Sequence, residues 1–300
     1  MKNTRQIAVI GLGSMGYGIA SSALRGGHET FGFDVNAEQV ARFVAEGGQT
    51  GALGDLAPQM QVVVVVVLNA AQTESVLFGE NGVVPGLSKG AVVIACATVP
   101  PDFAKSMSAR CAEHGVHYLD APISGGSLKA AQGQLSIMAA GAPAAFDAAR
   151  PVLDSIAETV FELGDSAGAG SAMKAVNQLL AGVHIATMAE ALTFGMTQGV
   201  SPEKFVEVIS KCAGTSWMLE NRAPHIVAGD YTPHSSVNIW PKDLGIVLDI
   251  AKNAQFSAPI TAAALQQFVA AAGQGLGHED DAAVAKVYAR NAGLTLPGDG

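Results

Sequence analysis

Residues 7–34 read "IAVIGLGSMGYGIASSALRGGHETFGFD", and the three glycines inside that stretch decide how the first half of the chain folds. Gly11, Gly13 and Gly16 stand in G-x-G-x-x-G spacing, after a β-branched run and at the opening of a helical pattern. Gly11 permits a tight turn, Gly13 lets backbone approach a pyrophosphate, and Gly16 lets helix and strand pack closely. The helix N-terminus offers free N–H groups and a partial positive charge to the phosphates. Leu12, Ser14 and Met15 fill the same loop and are read with the glycines as cofactor-binding positions. In a chain with 35 glycines such a hexamer alone says little. Here it has its full context of strand, glycines, helix, second strand "ETFGF" and an acidic residue, Asp34, about 20 residues on. A carboxylate there accepts hydrogen bonds from the adenosine ribose hydroxyls and repels a 2′-phosphate, so the cofactor is read as NAD. Arg42, the nearest arginine that could compensate, lies a helix turn further along. The other reading of Asp34 is a cap for the helix "AEQVARF", for which Asn36 is better placed.

From this unit the pattern extends outward. Short apolar runs alternate with helical patterns to residue 163: "QIAVI", "ETFGF", "VVVVVVL", "AVVIA", "VHYLD", "LSIMAA" and "TVFEL". Val62–Leu68 is apolar at every position, as expected of a parallel strand covered on both faces. The expectation is an α/β protein: a Rossmann-type doubly wound sheet over residues 1–164, then an all-α domain over 165–300. Past Leu163 the strand signals stop, and "GDSAGAG" leads into one long helix at about 168–198. Further helices are expected after the Ser201-Pro202 pair, over Pro241 to Asn253, and from Pro259 to about Gly273. The "TLPGDG" ending reads as frayed, and no internal repeat is found.

Composition excludes several classes. With 17 Lys+Arg against 26 Asp+Glu, a net charge of -9 and no basic block, nucleic acid is not a partner. Cys96, Cys111 and Cys212 are odd in number, far apart and without ligand spacing, so neither disulfides nor a metal are expected and the compartment is reducing. Met1-Lys2-Asn3 runs too quickly into the glycine turn for a signal peptide. The weakly charged stretch Ala175–Ala189 falls short of the roughly 20 apolar residues of a membrane span. A soluble cytoplasmic protein is expected.

Two features carry chemistry. In "SAMKAVNQLL", residues 171–180, Lys174 and Asn177 share one face of an otherwise apolar helix. A lysine near a helix start can snorkel to solvent. Held instead in a cleft between two domains, it is partly desolvated, its pKa falls toward neutrality, and it becomes a proton donor and acceptor that Asn177 can orient. In "DAPISGGSLKAAQGQLS", Ser124, Gly125 and Gly126 can aim a hydroxyl and bare N–H groups at one carboxylate, or simply make a turn. Leu68-Asn69 and Ala97-Thr98 sit at strand ends that reach the same crevice, or cap the helices that follow. Lys242 and Asp243 open a helix after Pro241, or form a surface pair.

Taken together, these segments resemble the β-hydroxyacid dehydrogenase family, the relatives of 3-hydroxyisobutyrate dehydrogenase, across nearly the whole length. Four motifs match in order: G-L-G-x-M-G at Gly11 to Gly16, D-A-P-x-S-G-G at Asp120 to Gly126, G-x-G-x-x-x-K-x-x-N at Gly168 to Asn177, and K-D-L at Lys242 to Leu244. The resemblance implies that Lys174 is the catalytic acid/base and that Ser124, Gly125, Gly126 and Asn177 hold the substrate. It also implies that Leu68, Asn69, Thr98 and Lys242 line the nicotinamide side, and that the long helix joins a homodimer or homotetramer. Asn69 departs from the pattern, since relatives commonly carry proline there. The polar approach "SSVNIWPKDL" also departs; with the ending "GLGHEDDAAVAKVY" it is similar to the branch acting on four-carbon sugar acids such as L-threonate. Asn238 and Trp240 could then meet the extra hydroxyls. Alternatives within the family are 3-hydroxyisobutyrate and tartronate semialdehyde. An NADPH-dependent imine reductase is opposed by Lys174 and Asp34, and a non-catalytic NAD-binding module by Lys174, Asn177 and Ser124.

Overall fold

The computed structural model describes residues 4–298; Met1-Lys2-Asn3 and the last two residues of the "TLPGDG" ending fall outside them. The chain divides into two compact units, Met1–Lys174 and Ala175–Gly300.

The first unit starts with β1 (Gln6–Ile10), α1 (Ser14–Arg25), β2 (Glu29–Phe33), α2 (Ala37–Ala45) and the short α3 (Leu53–Leu56). It continues through β3 (Val62–Val65), α4 (Ala70–Phe78), β4 (Val92–Ala95), α5 (Pro101–Glu113) and β5 (His117–Asp120). The five strands form one sheet in the order β2-β1-β3-β4-β5, parallel throughout. Its two faces read directly from the pleat. Ile7, Val9, Val62, Val64, Val92, Ile94 and Leu119 point into one core cluster, and Ala8, Ile10, Val63, Val65, Val93, Ala95 and Tyr118 into the other. Val62–Val65 are fully buried. Each such valine contributes about 1.5–3 kcal/mol of hydrophobic stabilisation, which is why an uninterrupted valine run settles as a central strand.

The chain from Ile123 onward differs from the seven-strand expectation. β6 (Ile123–Ser124), β7 (Leu135–Ala139) and β8 (Ala157–Glu162), separated by α6 (Gly126–Gln132) and α7 (Pro143–Ile156), make a second sheet. In it β6 runs antiparallel to β7 and β8 parallel to it. The chain reverses after Asp120, whose backbone pairs antiparallel with Ala140. β8 is mostly exposed, so it could not sit inside a sheet covered on both faces.

The division between the units falls within α8 (Ala169–Thr197). The second unit contains α9 (Pro202–Ile209), α10 (Trp217–Ala228), α11 (Ile239–Asn253), α12 (Pro259–Ala271) and α13 (Ala285–Asn291), with no ladder strand among the described residues. The Ser201 side chain caps α9 by accepting the Lys204 N–H. α10, which the pattern did not announce, contains Pro224 and is capped by Ser216. The core is built from Ile185, Met188 and Leu192 of α8 with Phe205, Leu219, Ile226, Trp240, Leu244 and Phe268. Leu296 is buried in it as well, so the ending is not frayed up to that residue. As formed, α8 is 29 residues long and apolar enough to cross a membrane by length and composition, contrary to the count made on Ala175–Ala189. One side of it is core; Met173, Val176, Leu180 and Phe194 are exposed.

Candidate active site

The parallel sheet places the glycine loop where its strand order reverses, between β1 and β3, at the carboxyl ends of the strands. Gly11 has φ +98°, and a Cβ there would lie 2.2 Å from the Val66 carbonyl oxygen; a Cβ on Gly16 would lie 1.8 Å from the Gly11 oxygen. Only glycine fits either place. At Gly13 the same added carbon would meet nothing within 4 Å. That is the bare backbone a phosphate needs, at the start of α1, where no side chain caps the helix.

Asp34 directly follows the second strand. Its carboxylate accepts the Leu12 N–H at 2.5 Å and the Asn36 N–H at 2.8 Å, so it braces the glycine loop, while Asn36 caps α2 through the Glu38 N–H. With Phe33, Val35, Ala37, Val40 and Thr50 it lines an open, mainly apolar cleft of a kind that suits an adenosine. Arg42 stacks over the Tyr17 ring at 4.2 Å and pairs with Glu46 at 3.5 Å. The residues present fit the dinucleotide.

At the next strand ends, Leu68 is exposed and its N–H is held by the Gln72 side chain. Asn69 caps α4 through the Gln72 N–H at 2.9 Å, so the capping reading holds for it. Thr98 is half-buried and is not a cap, a position Pro100 takes in front of α5.

The chemical residues fall into two groups. In the first unit, Ser124 ends β6, and Gly125 and Gly126 turn into α6 with φ values of +132° and +74°. Lys174 is only 8% exposed. Its Nζ donates to the Ile123 carbonyl at 2.9 Å, one residue before Ser124, so the lysine is not a solvated surface group. In the second unit, Asn177 donates to Gln178 Oε1 at 2.9 Å, and Gln178 Nε2 donates to Asp243 Oδ2 at 2.5 Å. Lys242 Nζ lies 2.5 Å from the other oxygen of Asp243. Asp243 is buried, so this is no surface pair. Gln178 was missed by the sequence reading; its signal was its place four residues after Lys174, on the same helical face.

Two specificity candidates part company. Asn238 is exposed at the start of α11, with its backbone N–H held by the Gly277 carbonyl. Trp240 is a correction. It is 3% exposed, stacks on Phe268 at 5.4 Å, and donates its indole N–H to Asp281 at 3.0 Å. Its polar atom is already used within the helical core, and it cannot greet a substrate hydroxyl. No cluster of metal-ligating side chains occurs among the described residues.

Comparison with known proteins settles the kinship. Residues 6–164 match the family model for the NAD binding domain of 6-phosphogluconate dehydrogenase, and residues 168–288 that for the NAD-binding region of NADP-dependent 3-hydroxyisobutyrate dehydrogenase. The chain belongs to the β-hydroxyacid dehydrogenase family. An L-threonate dehydrogenase of Cupriavidus necator is 49% identical over 98% of this chain and 99% of its own length, and that of Escherichia coli K12 is 42% identical over 97% and 96%. Among solved structures, a 3-hydroxyisobutyrate dehydrogenase from Salmonella typhimurium superposes with a TM-score of 0.89 at 43% identity, covering 94% of this chain and 99% of that one. An imine reductase from Streptomyces aurantiacus shares the fold alone, at 20% identity and a TM-score of 0.64. The protein is accordingly an NAD-dependent dehydrogenase of hydroxy acids.

Proposed function

We propose that the protein oxidises L-threonate to 2-dehydro-L-erythronate, with Lys174 as the acid/base. The observation that carries this reading is the buried Lys174 amine, hydrogen-bonded to Ile123 O immediately before the Ser124-Gly125-Gly126 turn. The match to L-threonate dehydrogenases at 42–49% identity over nearly full length supports the choice of substrate.

In this mechanism Ser124, Gly125 and Gly126 hold the substrate carboxylate through the Ser124 hydroxyl and backbone N–H groups, a cradle that only left-handed glycine backbone can make. The Ile123 carbonyl accepts one N–H of Lys174 and fixes where the amine points; as the neutral amine, Lys174 keeps a lone pair to take the alcohol proton. NAD, when bound, would supply the acceptor for the hydride from the carbinol carbon, so that one alcohol and NAD would give one keto acid, NADH and a proton. Asn177 and Asn238 hydrogen-bond the remaining hydroxyls. Gly11 to Gly16 and Asp34 would hold the dinucleotide, and Leu68, Asn69, Thr98 and Lys242 are the residues proposed for its nicotinamide side.

NADH formation measured across L-threonate, D-threonate, D-erythronate, 3-hydroxyisobutyrate, D-glycerate and L-serine tests the assignment. The expected result is the highest kcat/KM with L-threonate. A clear preference for 3-hydroxyisobutyrate or D-glycerate would move the protein to another branch. The exposed apolar stripe of Met173, Val176, Leu180 and Phe194 on α8 supports a homodimer or homotetramer, to be checked by sedimentation; a cytoplasmic location is proposed with it.

A further inference from the structure

We propose that Asp120 is a positioning residue for Lys174: its carboxylate fastens the first turn of α8 to the end of β5 and so sets where the amine lies beside the Ser124-Gly125-Gly126 turn. The proposal rests on the acid/base role of Lys174.

Asp120 is 1% exposed. Its backbone is held from both sides, paired with Ala95 of β4 and exchanging two hydrogen bonds with Ala140 at 3.0 and 2.8 Å. Its side chain is therefore a fixed anchor. One oxygen accepts the Gly168 N–H at 2.8 Å and the Ser171 N–H at 2.9 Å, and the other accepts the Ser171 hydroxyl at 2.6 Å. These are N–H groups that a helix start leaves without partners, and a carboxylate suits the positive end of the helix. The first turn lies hard against the strand ends, since a Cβ on Gly170 would come within 2.5 Å of Asp120 O and 2.4 Å of Met138 O.

The register is what points beyond a simple cap. Ser171 to Asp120 and Lys174 to Ile123 are both separated by 51 residues. The step of three residues from Ser171 to Lys174 on α8 is thus matched by the step of three from Asp120 to Ile123. The two bonds close a ring, Asp120 to Ile123 by backbone and Ser171 to Lys174 by helix. A slip of one residue would move the amine by about 1.5 Å along the helix axis and turn it by about 100°. Burial pushes the Asp120 carboxyl up, and the hydrogen bonds from Ser171, Gly168 and Gly170 oppose that rise in part.

The test compares the wild-type protein, Asp120→Asn and Ser171→Ala on the best substrate of the six-acid panel, with NADH-binding stoichiometry measured by fluorescence titration. For Asp120→Asn, kcat per NADH-binding site should fall on the order of 10- to 100-fold, with KM and NADH affinity nearly unchanged. The isotope effect on kcat, measured with substrate deuterated at its carbon-bound positions, should rise. Ser171→Ala, which keeps the carboxylate and the backbone bonds, should fall by a smaller factor in the same direction. A wild-type kcat per site and isotope effect, with only fewer binding sites or a lower Tm, would show a stability cap and overturn the proposal. If Asp120→Asn does not fold, Ser171→Ala decides by the same readouts. A wild-type protein inactive toward every acid of the panel removes the role of Lys174 instead, and this one with it.

Discussion

Two lysines are buried to nearly the same degree, Lys174 at 8% and Lys286 at 7% exposure, yet their surroundings differ. Lys286 lies 2.8 Å from Glu279 and 3.9 Å from the centre of the Tyr231 ring, groups that both stabilise an ammonium. The same helical unit holds Arg222 against Asp281 and His225 against Asp280. Lys174 donates to a neutral backbone carbonyl, one residue before the Ser124-Gly125-Gly126 turn. Burial alone therefore does not single out Lys174; what supports its proposed acid/base role is its place beside the Ser124-Gly125-Gly126 turn.

If that contrast is right, these charged groups of the helical unit should govern stability and leave the chemistry alone. Arg222→Ala leaves Asp281 fully buried without its guanidinium and should cost about 3–5 kcal/mol in chemical denaturation. Burial already pushes the Asp281 carboxyl up, and Arg222 opposes it. With the arginine gone the folded state should hold a proton to higher pH than the unfolded chain, so the variant should lose stability as pH rises from about 4 toward neutrality. A loss independent of pH would contradict that origin. Lys286→Ala should cost less, on the order of 1–3 kcal/mol, with kcat per NADH-binding site as in the wild type. A selective loss of turnover would break the comparison.

Asp34 sharpens it from another side, as a carboxylate proposed to serve a ligand rather than the core. Asp34→Ser should reduce the preference for NAD over NADP by on the order of tenfold in kcat/KM, with Tm little changed. An unchanged ratio would leave Asp34 only as the brace of the glycine loop. The smallest effect concerns the thiols. Burial pushes Cys96 and Cys111 up to about 12, while Cys212 is exposed. One thiol of three should react with a chromogenic disulfide in the native protein without loss of activity, and faster labelling of the other two would contradict their burial.

What the sequence could disclose follows from how local each feature is. β1, α1, β2 and Asp34 form one continuous stretch in which the glycine spacing fixes the backbone, and the structure follows it. The long helix and the Ser201 cap are equally local signals. The second sheet was hidden because a strand's partner is not written in its own residues; only the exposure of β8 shows that it cannot be central. Trp240 looked available for a ligand since its indole partner, Asp281, is 41 residues away. Gln178 and Asp243, 65 residues apart, and Asp120 and Ser171, 51 apart, meet only once both ends are folded. Lys174 was legible because its neighbours on the helix are apolar, so its charge needed a reason.

The most direct test of that reason is Lys174→Ala, assayed with L-threonate and NAD and titrated with NADH. The account predicts that kcat falls on the order of 100-fold or more while NADH binds with wild-type affinity and stoichiometry. Turnover within a few-fold of the wild-type value at intact NADH binding would contradict it.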